Sequence, residues 1–558
     1  MDDRWIFGVD LGTTFSTVSV ITDNGQVDTL VPSVAGSKAL PSALYFPHKE
    51  VVVAGREAFS ISSNNSNGTL IQDSKKYIGL PCSSPPPPWY VEDIPVCPVT
   101  AGAILLKALK QMAKNRWPNN PMEKVVITHP QHWSEVQKSA TRQAGEWAGL
   151  EVVSTLSEPQ AAAVACGLES SEEDSRILVF DLGGGTFDTT IFEVNAKSLQ
   201  MITGDGDANL GGRNWDSAIR SYLLQEWKNR TGYDYEDTTS RNYSNQLNEE
   251  IKEAKIKLQS EYTSQFNVRL SGGDLDENKL IEEPSHLQVN LTKDILNDIT
   301  SSLLDRVKDV VIRTLLNKEL SPEDIDWVVL AGGSSKLLAV RELLFDMFGE
   351  EKCKYDNDPL NLISVGAAWI ANNFRETELK FSDHDAQSVN ADDTPKNKSK
   401  ETGIRTREAI FAKNCGDPVV TKTVGVKAMD DNENYVIEHM IFKDTRREQA
   451  CCERDFFAVS EGQETVEVNI FEGESKDPFS CDQIGSIQLK VPALKKDAPI
   501  KVKFQFHDSG ILSVKVKDPN SGKESEVSIE RTALVENTAN YDQEKLKNLA
   551  RSIKIVFQ

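Results

Sequence analysis

Two short turns, far apart in the sequence, each place an aspartate, glycine and threonine directly after an apolar run. One turn is Asp10–Thr14, after the run that begins at Ile6, and the other is Asp181–Thr186, after the run that begins at Ile177. Glycine in such a turn lets a phosphate approach the backbone, whose amides can donate to it. The carboxylates stay free to hold the water molecules of a Mg²⁺ ion. One such turn is ordinary strand-end geometry, but two facing copies predict a clamp for a polyphosphate.

A third segment, Trp327–Ser335, has the pattern of a buried strand that ends in Gly332 and Gly333, just before a helical stretch from Leu337 to Phe348. Glycines at this point let a flat base lie against the backbone. Taken alone, the segment is an ordinary strand-to-helix turn. In this order and at this separation from the two aspartate turns, it predicts the base side of a nucleotide site.

The strands that hold the two aspartate turns form a repeat. The strand beginning at Ile6 and the strand beginning at Ile177 each end in Asp, then Gly, then Thr, so they predict two similar lobes that face one another across a cleft. Each lobe also contains a long insertion, Ser33–Cys97 in the first and Leu210–Gln288 in the second. We interpret these insertions as peripheral subdomains that flank the cleft.

The second part of the chain has a different pattern. Thr465–Ile470 and Lys501–Phe506 alternate apolar and polar residues, which is typical of antiparallel strands with one solvated face. Between the two parts, Arg375–Asn414 is polar and charged and has little to bury, so it predicts a linker. The predicted domains are a nucleotide-binding domain at 1–375, a linker at 376–417, a β-domain at 418–532 and a short C-terminal helix at 533–558.

Composition narrows the class of protein. A chain of 558 residues exceeds what one hydrophobic core fills, and 39% apolar with 26% charged residues is typical of folded proteins. The formal net charge of -23 disfavours nucleic acid and anionic membranes as main partners. The sequence shows no signal peptide, no run long enough to span a membrane and no Cys-x-x-Cys pair among its eight cysteines. We therefore expect a cytoplasmic protein with reduced thiols.

These residues resemble those of a known family. Gly8–Thr14, Phe180–Asp188 and Ala331–Ser334 look like the nucleotide loops of the actin and sugar-kinase ATPase superfamily, and specifically of its heat-shock protein 70 (DnaK-type) branch. Further similar segments identify the branch: Asp73–Gly79, Glu158–Ala165, Gly204–Asp216, Val468–Glu474 and Ser509–Val514. The resemblance implies an α/β actin-like (ribonuclease-H-like) two-lobed ATPase domain, followed by an all-β sandwich-like peptide-binding domain.

The resemblance also implies ligands and roles. The ligands are ATP or ADP, Mg²⁺ and accompanying K⁺ ions, with Asp10, Asp181 and Asp188 around the metal ions. The residues implied in catalysis are Lys75, Thr186, Asp181, Asp10 and Glu158. The residues implied in nucleotide binding are Gly12, Thr13, Thr14, Phe15, Gly184, Gly185, Thr186, Gly211, Gly212, Lys255, Gln259, Gly332, Gly333, Ser334 and Lys336. A lysine and a metal ion that offset phosphoryl charge suit phosphoryl transfer, which depends on positioning and charge stabilisation.

The sequence departs from the family at several places. The adenosine-contacting helix has Lys252, Lys255 and Gln259 where the family usually has Glu, Lys and Ser, and Lys336 replaces an arginine that covers the adenine, so we expect a lower nucleotide affinity. Ser154 stands where the family has an arginine that receives a J-domain partner, so we do not expect dependence on that partner. After the β-domain only 542–555 offers a helix, in place of the family's helical lid.

The predicted function is that of an ATP-dependent chaperone, in which ATP binding loosens and hydrolysis tightens the grip on a polypeptide. The expected partners are unfolded or extended apolar polypeptide segments, and the resemblance allows a nucleotide exchange factor. One alternative is a nucleotide-binding scaffold or co-chaperone-like protein with little hydrolysis. Another is a small-molecule kinase, which would have no use for the β-rich part. The polar linker and the short C-terminus predict weak coupling between the two domains.

Overall fold

The structure is a computed structural model that describes residues 5–31, 39–64, 68–80, 89–167, 175–195, 198–231, 241–259, 261–269, 286–355, 359–386, 420, 422–430, 434–443, 445, 449–506, 512–529 and 543–557. Most of the predicted linker, residues 387–417, lies outside the described residues. So do residues 509–511, the first part of the family-like segment Ser509–Val514.

A first lobe is formed by residues 5–167. In chain order its elements are β1 (Ile6–Leu11), β2 (Phe15–Ile21), β3 (Val27–Thr29), β4 (Leu40–Pro41), β5 (Ala43–His48), β6 (Val51–Ala54), α1 (Arg56–Asn64), β7 (Thr69–Gln72), β8 (Trp89–Val91), β9 (Ile94–Val96), α2 (Pro98–Arg116), β10 (Lys124–His129), α3 (Glu135–Trp147), β11 (Glu151–Ser157) and α4 (Glu158–Ala165). A short 3-10 helix, Ser74–Tyr77, follows β7. Strand β1 is buried at every position because both faces of its sheet are covered.

A second lobe follows, with the same kind of layered α/β arrangement. Its elements are β12 (Ser175–Leu182), β13 (Phe187–Asn195), β14 (Ser198–Asp207), α5 (Gly212–Thr231), α6 (Arg241–Lys257), β15 (Thr263–Arg269), β16 (His286–Thr292), α7 (Lys293–Leu316), β17 (Trp327–Ala331), α8 (Leu338–Phe348), β18 (Cys353–Tyr355) and α9 (Leu362–Ala386). A 3-10 helix, Gly333–Lys336, connects β17 to α8.

The central sheets of the two lobes share one topology. The first runs β11-β10-β1-β2-β3 and the second β18-β17-β12-β13-β14. In the first, β1 is antiparallel to β2 and parallel to β10; in the second, β12 is antiparallel to β13 and parallel to β17. Strands β1 and β12 therefore occupy equivalent places, and the prediction of two similar lobes from their repeated sequence is confirmed.

Helices α4 and α9 pack between these sheets. Ala161 and Val164 of α4 join a core with strands of the first lobe, whereas Ala162 and Ala163 join a core with strands of the second. Helix α9 packs on α4 and on β1 and β2. The small side chains of α4 permit this double contact, and they place the residue at its N-terminus, Glu158, between the two aspartate turns.

The end of α9 differs from the predicted domain boundary. We expected a linker from residue 376, but α9 continues to Ala386. The sequence Glu376–Lys380 consists mostly of good helix formers, so helix propensity carries α9 past the point at which polarity alone suggested a break.

The β-domain consists of two antiparallel sheets with one core between them. Its strands are β19 (Val424–Met429), β20 (Tyr435–Ile441), β21 (Cys451–Phe457), β22 (Gln463–Glu472), β23 (Asp482–Leu494), β24 (Pro499–Phe506), β25 (Leu512–Lys517) and β26 (Glu524–Ile529). The sheets run β20-β19-β22-β23 and β21-β24-β25-β26. Buried and exposed residues alternate along β22 and β24, as predicted, and the buried ones from both sheets share the core.

The C-terminal segment forms α10 (Gln543–Ser552) and β27 (Lys554–Val556). Strand β27 pairs with β6 and completes a sheet of order β27-β6-β5-β7 in the first lobe, and α10 packs against α2 and α3. A helix was predicted in 533–558, whereas the strand and the contact with the first lobe were not. The interpretation of this helix as the remnant of a lid stays a prediction.

The structure also bears on two further expectations, which concern membrane-spanning helices and the cysteine thiols. No helix among the described residues is both long enough and apolar enough to cross a membrane. Cys97, however, is disulfide-bonded, so the expectation of reduced thiols is wrong at that position. Among the described cysteines, those at 166, 353, 451, 452 and 481 form no disulfide.

Candidate active site

The two aspartate turns and the glycine turn after β17 meet at one place. Strand β12 pairs in parallel with β17, so that Asp181 lies opposite Ala331, one residue before Gly332. Gly332 has a φ of 76°, and a Cβ there would come within 2.4 Å of the carbonyl oxygen of Leu182. Only glycine accepts this conformation and this approach without strain. The third motif therefore packs directly on the end of the strand that carries Asp181.

The first turn is closed by its own backbone. A Cβ on Gly12 would lie 2.0 Å from the carbonyl oxygen of Phe15, and the Ser42 hydroxyl donates to the carbonyl oxygen of Gly12 at 2.7 Å. Glycine is thus required here by the turn itself. The turn thus gives a second reason for Gly12, and the predicted approach of a phosphate at this position stays a prediction.

The Thr14 hydroxyl joins the two turns. Its Oγ1 is buried and has no hydrogen-bond partner. A Cβ on Gly184 would come within 2.2 Å of that Oγ1, so the first turn lies directly against the second. An unpartnered buried hydroxyl costs stability unless a ligand supplies the missing bond. This donor, in contact with a glycine turn, fits a phosphate oxygen.

Neighbouring segments hold the second turn. The Gly183 amide donates to the Thr186 carbonyl at 3.0 Å, and the Gly212 amide donates to the Gly183 carbonyl at 3.0 Å. The Ser334 hydroxyl donates to the same Gly183 carbonyl at 2.9 Å. The structure therefore brings three of the predicted segments together: the second aspartate turn, the Gly211–Gly212 pair and the turn after β17.

Lys75 and Glu158 form a buried ion pair beside these turns. Lys75 is only 7% exposed, and its Nζ also lies 5.6 Å from the centre of the Trp133 ring. Burial lowers the pKa of Lys75, but Glu158 and Asp10 together outweigh burial and raise it. Lys75 is therefore a fixed cation in the cleft and not a solvated surface lysine.

Several carboxylates crowd the same space. Burial raises the pKa of Asp10 to about 7, against the opposing charge of Lys75, and Thr128 donates to Asp10 at 3.2 Å. Asp188 lies opposite Asp181 across the β12–β13 ladder, and burial together with Glu158 raises its pKa to about 7. Burial and the neighbouring carboxylates raise the pKa of Asp181 as well.

The close approach of these carboxylates indicates whether a divalent cation fits the cleft. Like charges in a shielded cleft raise each other's pKa values, and a bound dication would stabilise the ionised forms. Within the described part of the chain, no three His, Cys, Asp or Glu side chains are arranged to ligate a metal directly. Because several buried carboxylates share this space, the residues present fit a metal ion that they hold through its water molecules, as Mg²⁺ is commonly held.

The residues expected near the adenosine lie beyond the second turn. Lys255 is largely buried, pairs with Asp216 at 2.6 Å and donates to the Gly212 carbonyl at 2.9 Å. Gln259 is half-buried just after α6. Lys252 instead places its Nζ 5.2 Å from the ring centre of Phe59 in the first lobe. The remaining expected residues, Thr13, Phe15, Gly185, Gly333 and Lys336, lie in the three turns or at their ends.

An ion pair across the cleft was not anticipated. Arg213 of α5 pairs with Asp73, which precedes the helix of Lys75 and has a φ of 62°. The other terminal nitrogen of Arg213, Nη2, is buried without a hydrogen-bond partner. Lys76 lies over Gly185, since a Cβ there would be 3.1 Å from the Lys76 Nζ. The sequence indicated the segments Asp73–Gly79 and Gly204–Asp216 only by their similarity to the family. No local sequence pattern predicts that they pair with one another.

The comparisons with known proteins agree with this geometry. The family model described as Hsp70 protein matches residues 6–88, 89–415 and 416–553. The chain is 28% identical over 536 residues to the Chaperone protein DnaK of Thermotoga petrophila and to that of Thermotoga neapolitana. It is also 28% identical over 535 residues to the Chaperone protein DnaK of Thermosipho africanus. In each case the similarity covers 94% of this chain and 80% of the relative.

Proposed function

The chain belongs to the Hsp70 protein family, and from that premise we propose that its two lobes bind ATP with Mg²⁺ and hydrolyse it to control the grip of the β-domain on extended polypeptide. The protein is an ATP-dependent molecular chaperone, in keeping with its family and with relatives that are named Chaperone protein DnaK. The nucleotide phosphates would lie between Thr13–Thr14 and Gly184–Thr186, in the cleft between the lobes.

The observation that carries this proposal is the Lys75–Glu158 ion pair beside the unpartnered Thr14 hydroxyl. Glu158 would hold the Lys75 ammonium in place, and the remaining protons of that ammonium would be available to a phosphate. Lys75 and the hydroxyls of Thr14 and Thr186 would then donate to phosphate oxygens. Donors fixed in advance stabilise developing charge without reorganising, which is where phosphoryl transfer gains most of its rate.

Asp10, Asp181 and Asp188 would hold the metal ion through its water molecules. A bound Mg²⁺ supplies positive charge that offsets the negative charge of the phosphates. The raised pKa values of these aspartates support this role, because burial and the neighbouring carboxylates disfavour their ionised forms and a cation would favour them. Lys255 and Gln259, with Gly332, Gly333 and Lys336, would line the adenosine side.

The β-domain would bind the polypeptide client. A sandwich with exposed strand edges can hold an extended backbone through main-chain hydrogen bonds, while a pocket takes a side chain. Its exposed large apolar residues support an apolar client: Met429, Tyr435, Phe442, Phe457, Val459 and Phe479. A nucleotide exchange factor and a cytoplasmic location stay predictions, and Ser154 still argues against a usual J-domain partner.

The proposal is tested by steady-state phosphate release from Mg²⁺-ATP, with and without a short apolar peptide. We expect release that requires Mg²⁺ and that the peptide changes. Nucleotide binding without release above the blank would contradict hydrolysis and favour the alternative of a nucleotide-binding scaffold.

A further inference from the structure

The C-terminal segment supplies part of the core of the first lobe. Leu546, Ala550, Ile553 and Ile555 are at most 6% exposed and belong to one apolar core. Every other member of that core lies between Trp5 and Val152. A segment that follows the β-domain in the chain thus fills a groove on the domain that precedes it.

The floor of this groove is helix α2. Its residues from Pro98 to Leu106 are all buried, so α2 is covered on all sides along this stretch. A helix that is apolar all round needs cover on both faces. The contacts of α2 include α3 and α10, and α10 also contacts α3. The first lobe alone would leave part of this apolar surface exposed.

Polar contacts fix the position of the segment. Lys107 of α2 donates to the carbonyl oxygens of Ala550 at 3.3 Å, Arg551 at 2.5 Å and Ile553 at 2.9 Å. These are carbonyls at the C-terminal end of α10, which have no partner within the helix and carry partial negative charge. One lysine thereby caps the docked helix.

Strand addition supplies the second half of the contact. Strand β27 runs parallel to β6, with Lys554 opposite Val51 and Val556 opposite Val53. The Lys554 amide also donates to the Glu50 carbonyl at 3.1 Å. Strand β6 keeps its pairing with β5 on the other side, so β27 adds to an edge that exists without it. Main-chain pairing at a sheet edge is a common way to bind a peptide.

The outer face of the segment is polar. Glu544, Lys545, Asn548 and Arg551 of α10 are exposed, opposite the buried Leu546 and Ala550. The contact therefore consists of a few apolar side chains, one capping lysine and a three-residue ladder. Such a contact has the size and pattern of a bound amphipathic peptide.

We propose that this groove, formed by α2, α3 and the edge of β6, is a peptide-binding site. Its ligand is an amphipathic helix followed by a short strand, and the chain fills the groove with its own residues 543–556 as a releasable latch. Helix α9, which precedes the β-domain in the chain, packs on β1 and β2, and α10, which follows the β-domain, packs on α2 and α3 of the same lobe.

The test uses two full-length variants that place the same charge on the same helix. Ala550→Asp puts a carboxylate in the buried face and should release the latch, whereas Asn548→Asp puts it on the exposed face and should not. A fluorescent peptide of residues 543–558 is then titrated into each chain and followed by anisotropy. A tethered segment competes at an effective concentration of about 1 mM, so the peptide should bind Ala550→Asp at least about tenfold more tightly than the unaltered chain or Asn548→Asp.

A scrambled peptide of the same composition separates this site from client binding by the β-domain. The scrambled peptide should not bind the groove of Ala550→Asp with comparable affinity. Equal binding of the native and scrambled peptides, or equal binding of the native peptide to all three chains, would overturn the proposal. Equal binding of both peptides would overturn the latch but would not contradict client binding by the β-domain. A failure of the latch proposal is therefore distinguishable from a failure of the proposed function.

Hydrogen exchange on the unaltered chain gives a second measurement that does not depend on how Ala550→Asp folds. A releasable latch predicts that amides of α10 and β27 are protected but exchange faster than those of β1, because they open without global unfolding. Exchange as slow as in β1 would show a permanent part of the core, and unprotected exchange would show an undocked segment. Either result contradicts the latch.

Discussion

Lys75 and Glu158 are 83 residues apart in the sequence and form a buried ion pair at the base of the cleft. The pair connects the 3-10 helix Ser74–Tyr77 to the N-terminus of α4, which packs against both lobes. Removing one partner of a buried ion pair destabilises a protein, so a substitution in this pair measures how much the pair contributes to the free energy of unfolding.

Glu158→Gln should destabilise the chain by about 3 kcal/mol, because it leaves the Lys75 ammonium buried with weaker compensation. It should also reduce the rise in the Lys75 pKa that Glu158 causes. The matched control is Glu151→Gln, whose exposed carboxylate lies 3.9 Å from Lys124 and should cost less than about 1 kcal/mol. Urea unfolding of the three chains gives the values, and equal midpoints would contradict the importance of the pair.

Thr14→Val should separate stability from binding. The Thr14 hydroxyl has no hydrogen-bond partner within the chain, so its removal should leave the free energy of unfolding unchanged or raise it by about 1 kcal/mol. If that hydroxyl donates to a phosphate, the affinity for Mg²⁺-ATP should fall about tenfold, as expected for one lost hydrogen bond. Thermal melts and calorimetric titration measure the two effects. An unchanged affinity would remove Thr14 from the site.

The aspartates predict a dependence on pH. Asp10 and Asp188 have pKa values raised from 3.8 to about 7, so the folded chain without nucleotide binds more protons than the unfolded chain between these values. In a nucleotide-free sample, the free energy of unfolding should therefore fall as the pH rises through that window.

A metal ion held by these carboxylates favours their ionised forms, so the affinity for Mg²⁺-ATP should rise between about pH 6 and about pH 8. Asp10→Asn should flatten this rise. The comparison with the unaltered chain removes the effect of the nucleotide's own titration, because that titration is the same for both chains. Parallel titration curves for the two chains would exclude Asp10 as the titrating group.

Coupling between nucleotide and client should be weak. The polar segment at 387–414 offers mostly side chains that prefer water to a groove, and affinity differences usually lie in dissociation rates. The off-rate of a fluorescent peptide should change less than about tenfold between ADP and ATP, a coupling below about 1.4 kcal/mol. A large acceleration by ATP would contradict the weak coupling.

The parts of this account that could be predicted from the sequence rest on local patterns. A strand that ends in Asp and Gly, as at Asp10 and Asp181, and the alternation in β24 both depend on neighbouring residues alone, and both appear in the structure. The parallel pairing of β12 with β17 then brings the third turn to the second.

The remaining features depend on contacts between distant residues, for which a single sequence has no local signal. Asp73 and Arg213 pair across the cleft although 140 residues separate them. The burial of Lys75 depends on Glu158 and Trp133, and its charge alone suggested a surface residue. The docking of α10 on α2 joins residues more than 400 positions apart, as the 443-residue separation of Lys107 and Ala550 shows.

The most direct test of the central claim compares nucleotide binding and phosphate release in Lys75→Ala, with the exposed Lys114→Ala as a matched control. If Lys75 acts on charge that develops at the transferred phosphoryl group, its loss should lower single-turnover phosphate release by at least about 100-fold and change Mg²⁺-ATP affinity by less than about tenfold. The control should retain both properties. Unchanged release by a folded Lys75→Ala chain would contradict the proposed catalytic site.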